Sequence, residues 1–126
     1  PKTCSTQASI YVDEFRAGVM RVAIFARDSN GKVTLLAKPP QPDDGAPGEL
    51  RLFGVSAERG DAETLHNCGG EGEPLEAAYN YVYLAAAADV LGAERMVLES
   101  NGSKHPLVIR PEDDSLYVVV VMPMDL

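Results

Sequence analysis

The chain has 126 residues, 45% of them hydrophobic and 24% charged, and a net charge of −8. That balance excludes a disordered tail and bounds one globular unit with one core, residues 1–126 as a single domain. The 11 basic residues are scattered singly. No nucleic acid and no anionic membrane is therefore expected as a partner, because gripping phosphate needs clustered Lys and Arg. The two cysteines, Cys4 and Cys68, form no Cys-x-x-Cys pair, and the two histidines, His66 and His105, stand far apart. No metal site and no cofactor is expected. No run is long and apolar enough for a membrane span, and no apolar leader follows Pro1. The expected location is cytoplasmic, with both thiols free.

In chain order, residues 8–13 favour a strand through β-branched and aromatic content. Residues 19–27 predict a second strand by the same signal. Asp28-Ser29-Asn30-Gly31 is a turn sequence, and residues 32–37 predict a third strand that closes a hairpin with the second. Residues 39–48 hold four prolines and two glycines and predict an exposed loop. Residues 49–55 predict a fourth strand. Residues 56–66 read as polar turns, with a short extended stretch at Thr64-Leu65.

The turn Cys68-Gly69-Gly70-Glu71-Gly72 then leads into a predicted helix over residues 75–91, with Gly92 as its left-handed cap. That helix is apolar on nearly every side, with only Glu76, Asn80 and Asp89 strongly polar. Such a helix must be wrapped by other elements, most simply a curved sheet. Three strands follow, at 95–99, 106–110 and 116–122. The last carries Val118-Val119-Val120-Val121 and no charge, as expected of a strand buried on both faces or lying at an interface. No internal repeat is visible. The expected fold is α+β in the order β-β-β-β-α-β-β-β, a curved, mostly antiparallel sheet around one central helix.

Cys68 is the sharpest candidate for chemistry. A cysteine at a helix start takes a lowered pKa and can move a proton. Gly69, Gly70 and Gly72 would let backbone N–H groups face a carboxylate, and His66, two residues before Cys68, would point the same way along a strand. Against this stands a buried cysteine in a tight turn, with glycines required only by backbone geometry. Tyr79, Tyr81 and Tyr83 spread around the helix and read as core packing.

From Glu49 to Met122 the layout resembles one lobe of the diaminopimelate epimerase and phenazine-biosynthesis isomerase superfamily. The resemblance runs through Arg51-Leu52-Phe53, the Cys68-Gly69-Gly70 turn, the helix, Val97-Leu98-Glu99-Ser100-Asn101-Gly102 and Leu107-Val108-Ile109-Arg110. Where that family has Cys-Gly-Asn-Gly or Cys-Gly-His, this chain has Cys68-Gly69-Gly70-Glu71-Gly72. The resemblance implies a cofactor-independent isomerase acting on a small carboxylate ligand. Cys68 would transfer the proton, Gly69, Gly70, Gly72 and His66 would hold the ligand, and a homodimer would rebuild the family's two-lobed cleft. The alternative is a non-catalytic dimeric scaffold or ligand-binding module of roadblock or profilin-like type, which the last three strands fit equally well.

Overall fold

The computed structural model describes residues 4–113 and 117–126. The chain opens with β1 (Thr6–Tyr11) and turns at once into α1 (Val12–Ala26). Residues 19–27, expected as a strand, thus belong mostly to a helix. Their β-branched content misled, while the spacing decided: Val12, Phe15, Val19, Val22 and Ala26 are buried at intervals of three and four, the spacing of one helical face. Asp13 and Glu14 lie in the first turn, where the helix dipole favours acids. A 3-10 turn (Arg27–Ser29) ends at Asn30 in the left-handed region, φ 61°.

Strands β2 (Lys32–Lys38) and β3 (Gly48–Ser56) flank the proline-rich loop as expected. Then comes β4 (Gly60–Gly72), a long strand where polar turns and a cysteine-glycine turn were expected. The predicted helix over 75–91 is split into β5 (Leu75–Asn80) and α2 (Tyr81–Leu91). Leu75 to Asn80 favours a helix by local propensity. It is held extended by its ladder to β2, which runs from Lys32↔Asn80 to Ala37↔Leu75, so tertiary pairing overrides propensity. Asn80 caps α2 by accepting from the Val82 N–H at 2.9 Å, and Gly92 (φ 62°) ends it. β6 (Arg95–Ser100), β7 (Leu107–Pro111) and β8 (Val119–Val121) complete the chain. Of the strand expected over 116–122, Leu116 lies outside the described residues.

Among the described residues, eight strands form one antiparallel sheet in the order β5-β2-β3-β4-β1-β6-β7-β8. The fold is therefore α+β with an antiparallel sheet, but the order has two helices, not one wrapped helix. α1 lies on β3 and β4, α2 touches β5, β7 and β8, and the helices pack side by side. In α2, Leu84, Ala87, Ala88 and Leu91 are buried, whereas Val82, Tyr83, Ala86 and Val90 face outward. The last strand is not central: β8 ends the sheet. Beyond it, Met124 bridges to Ala78 of β5, donating its N–H to the Ala78 carbonyl at 2.7 Å. This bridge ties the segment after β8 to the opposite end of the sheet.

The sequence shows no internal repeat, but the backbone has one. The unit β1-α1-β2-β3-β4 recurs as β5-α2-β6-β7-β8. Each unit's first strand pairs with the other's second strand, Tyr11↔Arg95 and Asn80↔Lys32. Each helix's first N–H reaches the other unit at 2.9 Å, Val12 to the Glu94 carbonyl and Tyr81 to that of Gly31. Leu52↔Thr64 in β3–β4 is matched by Ile109↔Val119 in β7–β8. Reciprocal pairing of this kind is that of an approximate two-fold axis within the chain. One continuous core joins the halves, from Phe15, Leu35 and Leu52 to Leu84, Met96 and Ile109.

Candidate functional site

Each repeat leaves one groove between its helix and its last strand. The groove between α2 and β8 is apolar. Tyr83, Ala86, Ala87 and Val90 form one wall and Val119 to Met122 the other, around a cavity of about 460 Å³. Tyr83, Val90, Val120 and Met122 each keep more than half their surface exposed. An apolar patch of this kind, left open to water, is a candidate docking surface. Sequence reasoning missed it. Tyr83 read as core packing, and the valine run as a strand buried on both faces or lying at an interface. The available signal was the coincidence of Tyr83, Ala86 and Val90, three and four residues apart on one helix face, with an uncharged strand.

The groove between α1 and β4 is more polar and larger, about 1030 Å³. Glu14, Ala17 and Arg21 of α1 line it, opposite residues 63–69 of β4. Three of the expected site residues, His66, Cys68 and Gly69, meet here. The structure does not bring Gly70 and Gly72 to it, since they lie farther along β4, paired to Ala8 and Thr6 of β1. His66 is buried, with Nδ1 3.2 Å from Glu14 Oε1 and Nε2 3.0 Å from Thr64 Oγ1. With its proton on Nδ1, the ring donates to Glu14 and accepts from the Thr64 hydroxyl. At one end Arg95 sits 4.5 Å from the Tyr11 ring centroid and donates to Ser9 Oγ at 3.2 Å and to Glu112 at 3.2 Å.

Cys68 does not open a helix. It sits in β4 opposite Gly48, 6% exposed. Burial, and secondarily the Glu49 carboxylate, push its thiol up to about 11 from 9.0, the opposite of the lowered value a proton-transfer cysteine needs. Alkylation of Cys68 by iodoacetamide at pH 8 should therefore run about a hundredfold slower than in the unfolded chain, since two pKa units remove that share of thiolate. Equal rates in folded and unfolded protein would sink this. Because the folded value is raised, the stability linked to this thiol should be complete below pH 9 and lost as pH rises from 9 toward 11.

The glycines have a backbone role. β4 pairs with β3 through Gly60 to Cys68, then with β1 through Gly69 to Gly72. Cys68 to Gly72 is the corner where one strand changes partners, and Gly70 (φ 111°) and Gly72 (φ 108°) adopt conformations reserved for glycine. Among the described residues, no group of three His, Cys, Asp or Glu side chains is placed to hold a metal ion. No helix there is long and apolar enough to cross a membrane.

An antiparallel sheet with two side-by-side helices, built from a βαβββ unit used twice and bearing an open apolar groove, defines a repeat-built α+β fold. The family model for the DNA polymerase III beta subunit, C-terminal domain, matches residues 1–125, and the chain belongs to that family. It is similar to the beta sliding clamp of Synechococcus elongatus, 28% identical over 120 residues that make up 94% of this chain and 30% of that protein. All of the chain superposes on 32% of the DNA polymerase III beta subunit of Thermotoga maritima, with TM-score 0.88 and 25% identity. It likewise covers 32% of a Bartonella birtlesii sliding clamp bound to griselimycin, with TM-score 0.86 and 25% identity. The chain thus spans about a third of the length of the proteins it matches.

Family membership overturns the resemblance to the diaminopimelate epimerase and phenazine-biosynthesis superfamily, and with it the isomerase reading. The shared layout, a strand, a glycine-rich stretch and a meander, is common to unrelated folds, and the Cys-Gly stretch is a strand corner here. The roadblock or profilin-like alternative is not supported either. The expectation of a small carboxylate ligand and no nucleic acid also falls, because the family is that of a DNA polymerase subunit. Net charge sums the whole chain, whereas phosphate is gripped by local Lys and Arg contacts, so −8 does not decide whether a chain works on DNA.

Proposed function

We propose that the chain is the C-terminal domain of a sliding clamp, the beta subunit of a DNA polymerase III, and that residues 1–126 act there as one domain. Its α2–β8 groove would dock an apolar segment of the polymerase. The observation that carries this is the groove: Tyr83, Ala86, Val90 and Val120 present a concave apolar surface to water on a chain of a polymerase-subunit family. An extended peptide laid there buries apolar side chains between a helix and a strand, a common recognition mode. The acidic balance fits a clamp that slides. With a net charge of −8, this chain adds little phosphate grip, and strong grip would hold the protein at one place on DNA. Its location would be the cytoplasm, with the replicating DNA.

The test is a charge in the groove. Val120→Asp changes an exposed side chain, so the melting temperature should stay within a degree or two of wild type. Binding of the polymerase to the full-length protein, measured by surface plasmon resonance, should weaken at least tenfold, about 1.4 kcal/mol. Undiminished binding by a folded Val120→Asp protein would remove the docking role from this groove.

A further inference from the structure

The two grooves coincide position by position and differ in chemistry. Counted from the first helical residues, Val12 and Tyr81, Glu14 takes the place of Tyr83, Ala17 of Ala86, Gly18 of Ala87 and Arg21 of Val90. Ser9 and Ala78 are equivalent in β1 and β5, and their partners are Gly69 and Met124. Counting back from those partners, Thr64 corresponds to Val119, Leu65 to Val120, His66 to Val121 and Asn67 to Met122. Seven positions of the repeat thus line both cavities, and the polar one extends farther, to Tyr11, Arg95 and Gly69.

We propose that Glu14, Arg21 and the His66–Gly18 pair confine apolar partner segments to the α2–β8 groove, and that the α1–β4 groove is a second copy of the docking frame closed to them by those side chains. This rests on the docking role proposed above. The frame in the polar groove is intact: Leu65 stands exposed where Val120 does. The floor has been exchanged as a unit. Val121 lies buried, as does its helical neighbour Ala87. The larger His66 ring fits only because position 18 lacks a Cβ, which would fall 2.5 Å from His66 Nε2. The ring then presents two polar nitrogens, held by Glu14 and Thr64. The apolar side chains of a peptide laid here would strip water from the Glu14 carboxylate and the Arg21 guanidinium and return no hydrogen bonds in its place, a cost that disfavours docking. Discrimination of this kind comes from what repels the wrong site as much as from what attracts at the right one.

The experiment uses the full-length protein and a fluorescein-labelled peptide rich in leucine and phenylalanine, with stoichiometry read by titration. Wild type should bind one peptide per chain and lose it in Val120→Asp. The combined change Glu14→Tyr, Gly18→Ala, Arg21→Val and His66→Val should bind two, one of which survives Val120→Asp. A folded four-fold variant that still binds one overturns this inference and leaves the docking role standing. Wild type that binds none overturns both. Should the four-fold variant not fold, Glu14→Tyr with Arg21→Val alters only exposed side chains. In the Val120→Asp background it should raise peptide affinity at least tenfold, and an unchanged affinity is equally fatal.

Discussion

Gly70→Ala should destabilise the protein by roughly 3 kcal/mol or more, among the largest effects of any single methyl group added to this chain. Two causes add. The backbone at Gly70 has φ 111°, a conformation L side chains rarely adopt. A Cβ there would also drive into the backbone carbonyl of Gln7 on the neighbouring strand β1, with the Gln7 carbon at 2.7 Å and the Ala8 Cα at 2.8 Å. Backbone cannot swing aside as a side-chain tip can, so β1 would have to leave β4. Gly45→Ala is the control: φ is 74°, but nothing lies within 4 Å of the new methyl, so only the conformational cost of about 1 kcal/mol is expected. Urea unfolding of both variants separates strain from collision. Equal losses at the two sites would show that the β1–β4 approach is not tight.

Phe15→Ala should cost about 3–5 kcal/mol, because Phe15 is fully buried between α1 and the sheet. Ile24→Ala, nine residues on in the same helix, should stay within about 0.5 kcal/mol, since Ile24 is half exposed. The contrast discriminates helix from strand. An extended segment over 19–27 would place Val22, Ile24 and Ala26 on one face and make Ile24 as costly as its neighbours. The helix buries Val22 and Ala26 and turns Ile24 outward. Thermal unfolding of the pair decides it.

The same segment shows why part of the fold was legible and part was not. Strands β2, β3, β6 and β7 follow from alternation and β-branched content, and the loop at 39–47 follows from its prolines. These signals act within a few residues. α1 was obscured because Val19, Val22, Ile24 and Phe25 favour a strand locally while their spacing serves a helix. β5 was obscured in the opposite direction: Leu75-Glu76-Ala77-Ala78 favours a helix and is extended only because β2 lies beside it. The glycines from 69 to 72 marked an unusual backbone correctly, but not its cause. A glycine needed for a strand corner and one needed to cradle an anion look alike until the neighbouring strand is in place.

Composition and local pattern alone determined an α+β chain with one core, most of its strands and the left-handed cap at Gly92. The two-fold repeat was decided only by tertiary structure, because it resides in registers such as Tyr11↔Arg95 and Asn80↔Lys32 rather than in shared residues. So was the site. Tyr83 and Val120 are distant in sequence, and each alone is an ordinary apolar residue. They become a surface only when α2 and β8 are laid side by side, and whether an apolar side chain serves as core or as contact depends on what the folded chain leaves uncovered.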